Sequence, residues 1–182
     1  MSDLEEPKSG ITRRTVAKAA AWSVPAIALA VPTPAYAVAS PELIDLTGDG
    51  CKLPGNATDI FKGYAFEAVI TNPNQTSVNV SITDITLKGE DLGAVTVVRL
   101  DTCQVLGSTF AVAGGASFRV AIITANAASS ANGTLVVTYT ADNVPDAATA
   151  QADAAPPITG GGACTTFTNA EKTCIEGVFT AP

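Results

Sequence analysis

Apolar and polar residues alternate through much of the chain between residues 43 and 140. In the segments 64–71, 78–82 and 134–140, apolar residues take every second position. This period predicts β-strands with one buried face, because successive side chains of a strand point to opposite sides. About seven strands are expected, at residues 43–47, 64–71, 78–87, 94–100, 108–113, 117–124 and 134–140.

Short polar segments separate these strands and predict turns. The segments 72–75 (Asn-Pro-Asn-Gln) and 88–91 (Lys-Gly-Glu-Asp) contain residue types that turns favour. Asn-Gly at 132–133 marks the start of the last strand.

The third strand changes parity along its length. Its apolar residues occupy every second position up to Ile82, but the next one is Ile85, three positions later. The alternation therefore contains one extra residue. A β-bulge near Thr83 and Asp84 would produce this shift, because an extra residue moves the following side chains to the other face.

These features predict an all-β fold. No long segment with a period of 3.6 residues lies between the strands, which excludes a parallel α/β sheet and favours an antiparallel β-sandwich over residues 38–140. The sequence of 68–74, followed by 78–80, resembles the strand-turn-strand of immunoglobulin-like and fibronectin-III-like sandwiches of secreted bacterial proteins. The cysteine-tryptophan-cysteine pattern of antibody domains is missing, since the single Trp is Trp22.

The C-terminal part changes character. Residues 141–163 are rich in Ala, Pro and Gly, and we expect a loop or linker there. In the segment 164–182, Thr168 and Glu171 form a capping box, which predicts one or two helical turns over 169–174. Apolar residues of this segment would pack on the sandwich: Phe167, Ile175, Val178 and Phe179.

Residues 1–37 have the organisation of an export signal. Arg13 and Arg14 precede an apolar run that ends at Ala35-Tyr36-Ala37, a small-x-small cleavage pattern. The paired arginines, preceded by Thr and followed by two apolar residues and a Lys, resemble twin-arginine (Tat) signals. The resemblance implies that the Tat translocase is a partner of the precursor, with an ordinary Sec leader as the alternative.

The predicted leader sets the expected location. Cleavage is expected after Ala37, with Ala39 as a second possible site. No second long apolar segment follows, so we expect no integral membrane segment after cleavage. The mature protein is therefore expected to be secreted or associated with the cell envelope.

All four cysteines lie after the leader. An even number in an exported chain predicts two disulfides, for which three pairings are possible. We favour Cys164 with Cys174, which closes a short loop, and Cys51 with Cys103, which ties the first strand to the middle of the domain. A thiolate metal site is disfavoured, because the sequence has no Cys-x-x-Cys spacing.

The composition limits the partners and the catalytic reactions that are compatible with the chain. The formal charge of −7 disfavours nucleic acid as a partner. The absence of histidine excludes Ser-His-Asp and Cys-His catalysis and imidazole metal sites. Carboxylates remain the candidates for acid–base work, with Glu67 and Asp84 the foremost and Asp101 the third, although solvated or turn-capping roles are favoured for all three.

Two further features have a possible binding role. The segment 45–50 (Asp-Leu-Thr-Gly-Asp-Gly) is similar to the start of a calcium loop, but the twelfth position is Asn56 instead of Glu, so a turn is preferred and no cofactor is expected. Val69, Ile123 and Val136 lie opposite the main apolar faces. They could form a partner surface, or a second buried face of a central strand, which we favour.

The favoured function is therefore an exported, non-catalytic β-sandwich that acts as a cell-envelope or extracellular binding or structural module. Its partner would be an unknown protein or cell-wall component. The alternative is a carboxylate-dependent extracellular hydrolase acting on polysaccharide, and a purely structural assembly subunit is a third possibility.

Overall fold

The protein is described by a computed structural model over residues 42–53, 62–142, 144–157 and 164–180. The predicted leader, with Arg13, Arg14, Ala35 and Ala37, lies outside the described residues, as does the second cleavage position Ala39.

The described residues form ten strands and one helix. They are β1 (Ile44–Lys52), β2 (Tyr64–Thr71), β3 (Val78–Leu87), β4 (Glu90–Asp91), β5 (Val95–Arg99), β6 (Gln104–Gly107), β7 (Thr109–Val112), β8 (Ser117–Thr124), β9 (Gly133–Ala141), β10 (Val144–Ala154) and α1 (Asn169–Thr180).

The strands form two antiparallel sheets. Sheet 1 has the order β1-β2-β8-β5-β6, and sheet 2 has the order β10-β9-β3-β4, with β7 also paired to β3. Their inner faces meet in a core that includes Phe66, Ile85, Ile122 and Leu135, all fully buried. The prediction of an antiparallel β-sandwich is confirmed, with three short or alanine-rich strands (β4, β6 and β10) in addition to those predicted.

A buried tyrosine connects the start of sheet 1 to sheet 2. Tyr139 on β9 is almost fully buried, and its hydroxyl accepts a hydrogen bond from the backbone N–H of Leu43 (3.2 Å). A buried tyrosine hydroxyl needs such a partner, because an unpaired polar group in the core would destabilise the fold. This bond fixes the chain where it enters β1.

The bulge predicted in β3 is confirmed. Ile82 pairs with Tyr139 and Asp84 with Thr138, so Thr83 is the extra residue. The Thr83 hydroxyl donates a hydrogen bond to the carbonyl of Thr138 (3.2 Å). The bulge keeps the apolar residues on both sides of it, Ile82 and Ile85, in the core.

The interpretation of 141–163 as a loop is wrong for about half of its length, because Val144–Ala154 forms β10. Its alternation is present but is carried by small residues: Ala150 and Ala154 are buried, whereas Thr149 and Gln151 are exposed. Alanine has a low strand propensity, which concealed the strand in the sequence. β10 lies close to β1, since a Cβ on Gly48 of β1 would clash with the backbone of Asp153.

The capping box is confirmed, and the helix that it begins is longer than predicted. Thr168 N–H donates to Glu171 Oε2 (2.8 Å), and Glu171 N–H donates to the Thr168 hydroxyl (3.3 Å). Helix α1 covers the outer face of sheet 1, and a second apolar cluster forms beneath it with Phe167 and Ile175 buried and Val178 packed against them. The Phe179 side chain lies outside the described part of the chain.

Two disulfides are present, as predicted, but the favoured pairing is wrong. Cys51 pairs with Cys164 and Cys103 with Cys174, with Cα–Cα distances of 5.5 and 4.9 Å. The physical reason is α1, which lies on sheet 1 and carries Cys174 to the turn between β5 and β6 instead of back towards Cys164. Both bridges therefore fasten the C-terminal segment to the sandwich, and they indicate an oxidising environment outside the cytoplasm.

Candidate functional site

Glu67, the foremost carboxylate of the sequence analysis, lies in an ion-pair cluster on the outer face of sheet 1. Arg119 on β8 contacts Glu67 Oε1 through Nε (2.6 Å) and Nη2 (2.5 Å). Its Nη1 donates to Glu171 Oε1 at 2.6 Å. The side chains of Glu67 and Glu171 are only 13% and 12% exposed, whereas Arg119 is 46% exposed. One guanidinium thus joins two largely buried carboxylates.

Glu171 has a second role in the same cluster. Its Oε2 accepts hydrogen bonds from the backbone N–H (2.8 Å) and hydroxyl (3.0 Å) of Thr168. Burial raises the pKa of Glu171, but these hydrogen bonds and the charge of Arg119 outweigh it, so the pKa is lowered overall. The pKa of Arg119 is raised, mainly by its hydrogen bond to Glu67. Glu171 and Arg119 are therefore stabilised in their charged forms, and their contact anchors the first turn of α1 to the sheet.

The other two candidate acids lie elsewhere. Asp84 is exposed on the outer face of sheet 2, beside Thr83, Asp91 and Ser108 in a polar notch of about 410 Å³. Asp101 follows β5 and accepts two hydrogen bonds from Arg99, through Nε (2.6 Å) and Nη2 (2.7 Å). The structure therefore does not bring Glu67 and Asp84 together, since they lie on the outer faces of different sheets.

The segment 45–50 is not a turn. It lies inside β1, with Asp45 and Asp49 exposed and a register irregularity between Leu46 and Gly50. The Asp49 N–H donates to the Thr47 hydroxyl within this bulge (3.2 Å). Among the described residues, no group of three or more acidic or cysteine side chains is placed to hold a metal ion.

The three apolar residues opposite the main core differ in environment. Ile123 is fully buried under α1, which confirms the interpretation of a second buried face for that strand. Val69 and Val136 are half-buried on the outer faces of sheet 1 and sheet 2.

A groove that the sequence analysis missed lies between β6 and β7, and we call it the open-edge groove. It has a volume of about 400 Å³ and is lined by Arg99, Gln104, Val105, Leu106, Phe110, Ala111, Ala113, Ala116 and Phe118. Val105 is 53% exposed, a large exposed fraction for an apolar side chain. The signal in the sequence was the apolar pair Val105-Leu106, which is too short to predict a strand by periodicity.

One cation lies over an aromatic ring in the open-edge groove. The guanidinium carbon of Arg99 lies 4.4 Å from the centroid of the Phe118 ring, a cation–π distance. Asp101 binds two of its N–H groups and raises the pKa of Arg99 through that hydrogen bonding. The guanidinium is therefore held in one orientation at the groove.

Within the described residues, no helix is long and apolar enough to cross a membrane.

Comparison with known proteins identifies no family for the chain. No protein-family model matches the chain, and no curated protein matches it either. Among solved structures it is similar to the E. coli chaperone DraB, with a TM-score of 0.38 and 12% sequence identity over 65% of this chain. The chain spans 56% of the length of that protein.

Proposed function

We propose that this protein is exported by the Tat route and acts at the cell envelope or outside the cell as a non-catalytic binding module. Two disulfides support an oxidising location, and the leader-like segment 1–37 with its paired arginines supports the route. Its partner is a protein or a cell-wall component.

The observation that carries the non-catalytic function is the contact of Arg119 with Glu67 and Glu171. A general acid or base needs a carboxylate that can exchange a proton with a substrate, and a glycoside hydrolase needs two carboxylates facing each other across a cleft. Here both carboxylates point at one guanidinium, and Glu171 also caps α1. The two carboxylates thus attach α1 to sheet 1 instead of facing a substrate. This arrangement favours a binding function over the hydrolysis of a substrate.

A substrate panel tests the non-catalytic function. The purified protein should turn over none of a set of ester, peptide and glycoside substrates. Glycoside turnover that is abolished by Glu67→Gln and retained by Asp84→Asn would replace the proposal with the carboxylate-dependent hydrolase.

The export route has its own test. Replacing both arginines, Arg13→Lys with Arg14→Lys, should leave the precursor in the cytoplasm, because Tat recognition depends on the arginine pair. Secretion of the double variant at the normal level would indicate a Sec leader instead.

A further inference from the structure

Two strand edges border the open-edge groove. Among the described residues, β6 pairs only with β5, and β7 pairs only with β3. Each strand therefore presents one row of backbone N–H and C=O groups to which no described strand is paired. Such an edge is a template for an added strand. The chain passes directly from one edge to the other at Ser108, so both edges meet at the same groove.

The other pair of sheet edges is closed. At β1 and β10 the sheets approach so closely that a Cβ on Gly48 would clash with the backbone of Asp153. Both of these strands also carry irregularities, near Gly48 in β1 and between Val144 and Ala148 in β10. Strand β6 has a register irregularity of its own opposite Val97 and Val98, whereas β7 pairs with β3 in regular register. The close approach at Gly48, rather than the bulges, therefore leaves the β6–β7 side for an added segment.

Seven of the nine residues that line the groove are apolar, although polar groups make up more than half of its exposed surface. Phe110 is buried at its base, and Leu106 and Phe118 are partly buried and pack against the main core. Val105 stands exposed at the rim. An added strand places every second side chain towards such a surface, so its inward residues would need to be apolar and its outward residues polar.

Charge adds a second requirement. Arg99 is the one charged residue among those lining the groove. Asp101 takes one N–H from Nε and one from Nη2, which leaves three of the five N–H donors of the guanidinium. Asp101 already balances the charge of the guanidinium, so a second carboxylate would be bound through these three remaining donors.

We infer that the open-edge groove binds an extended polypeptide segment of a partner protein, with apolar side chains at alternating positions and a carboxylate that meets Arg99. This inference rests on the proposed non-catalytic function and names the class of partner. Strands of four residues such as β6 and β7 span about 13 Å. The groove volume of about 400 Å³ accommodates the two or so inward side chains of a segment of that length.

Binding of a synthetic peptide tests the inference. The probe is a short fluorescein-labelled peptide that alternates valine with threonine and ends in aspartate. Controls have the same composition with the valines grouped, or asparagine in place of aspartate. The purified full-length chain should bind the alternating aspartate peptide saturably by fluorescence anisotropy, and the grouped peptide at least tenfold more weakly.

Matched variants locate the site. Val105→Lys, which places a flexible cation at the rim, should weaken binding of the alternating peptide at least tenfold. Val136→Lys makes the same change on the outer face of sheet 2 and should leave binding within twofold. Arg99→Gln should remove the preference for the aspartate over the asparagine peptide. Thermal unfolding of each variant checks that the fold is retained.

Three results would overturn the inference. The first is that the native protein shows no saturable binding of the peptide. The second is that Val105→Lys and Val136→Lys weaken peptide binding equally. The third is concentration-dependent dimerisation in ultracentrifugation that Val105→Lys abolishes. The last would make a second copy the occupant. A persistent aspartate preference in Arg99→Gln would overturn the role of Arg99. None of these results depends on the substrate panel, so failure of the groove and failure of the non-catalytic function are distinguishable.

Discussion

The outer faces of the two sheets are built from the same alternating pattern but have opposite environments. On sheet 1 the outward residues Ala65, Ala121 and Ile123 are fully buried beneath α1. On sheet 2 the outward residues Thr140 and Thr149 are exposed. Residue type on the second face decides the outcome, since an apolar second face requires a cover and a hydroxyl-rich face does not.

The C-terminal segment, which covers the outer face of sheet 1, is attached to the sandwich in three ways. Sheet 2 has no counterpart of them in the described part of the chain. Two disulfides join the C-terminal segment to β1 and to the turn after β5. The Arg119 cluster and the apolar cluster under Ile175 supply the other two. The comparison therefore predicts that stability depends far more on the outer face of sheet 1 than on that of sheet 2.

Removing the disulfides should have the largest effect. Each bridge closes a long loop, with sequence separations of 113 and 71, and the chain-entropy model gives about 4–5 kcal/mol for each. Cys51→Ala with Cys164→Ala, and separately Cys103→Ala with Cys174→Ala, should each lower the free energy of unfolding by several kcal/mol in urea. A change below about 1 kcal/mol for both pairs would mean that they do not hold the cover.

Peptide mapping without reduction checks the connectivity itself. Cleavage of the oxidised protein should release a peptide that links Cys51 to Cys164 and another that links Cys103 to Cys174. Recovery of Cys164 linked to Cys174 would restore the pairing favoured from the sequence. It would also remove the two covalent attachments of the C-terminal segment to the sandwich.

The next effect compares one apolar side chain on each outer face. Ile123→Ala leaves a cavity beneath α1 and should cost about 2–5 kcal/mol of unfolding free energy. Val136→Ala on the half-exposed face of sheet 2 should cost less than about 1 kcal/mol. Urea unfolding measures both. Equal costs would show that α1 adds little burial to sheet 1.

Strands β3, β7 and β9 of sheet 2 could be predicted from the sequence, and so could the bulge at Thr83, because an inserted residue changes which alternate positions are apolar. The capping box could also be predicted, since Thr168 and Glu171 hydrogen-bond to each other within one helical turn. These features depend on neighbours in the chain.

Features that depend on distant contacts could not be predicted. The disulfide pairing follows from where α1 lies, which no local pattern encodes. Strand β10 is stabilised by pairing with β9 and by the close approach to β1 that Gly48 allows, not by its own propensity. At the candidate sites, Glu67 was identified from its outward position in β2, but Arg119, Glu171 and the groove between β6 and β7 exist only in three dimensions.

A smaller, pH-dependent effect should come from Glu171. Its pKa is lowered in the folded protein, so its stabilisation is present above the unfolded pKa of about 4.3 and is lost as the pH falls through the folded value. Glu171→Gln should cost about 1–2 kcal/mol at pH 7, and the difference from the native protein should shrink below about pH 4. Urea unfolding at several pH values measures it.

The matched control for this effect is Asp84→Asn on the outer face of sheet 2, where the carboxylate is exposed and has no ion pair among the described residues. It should change the free energy of unfolding by less than about 0.5 kcal/mol. A Glu171→Gln cost that stays constant from pH 7 to pH 3 would contradict a role for its charge.

The smallest predicted effect comes from the N-terminal cap of α1, tested apart from the disulfides and the ion pair. The Thr168 hydroxyl accepts a hydrogen bond from the Glu171 N–H (3.3 Å), and loss of such a cap typically costs about 1 kcal/mol. Thr168→Ala should therefore lower the free energy of unfolding by about that amount and speed hydrogen exchange in the first turn of α1. Thr168→Ser keeps the hydroxyl and should stay within a few tenths of a kcal/mol of the native protein. Equal losses in both variants would mean that the Thr168 methyl group, not the cap, holds this end of the helix against sheet 1.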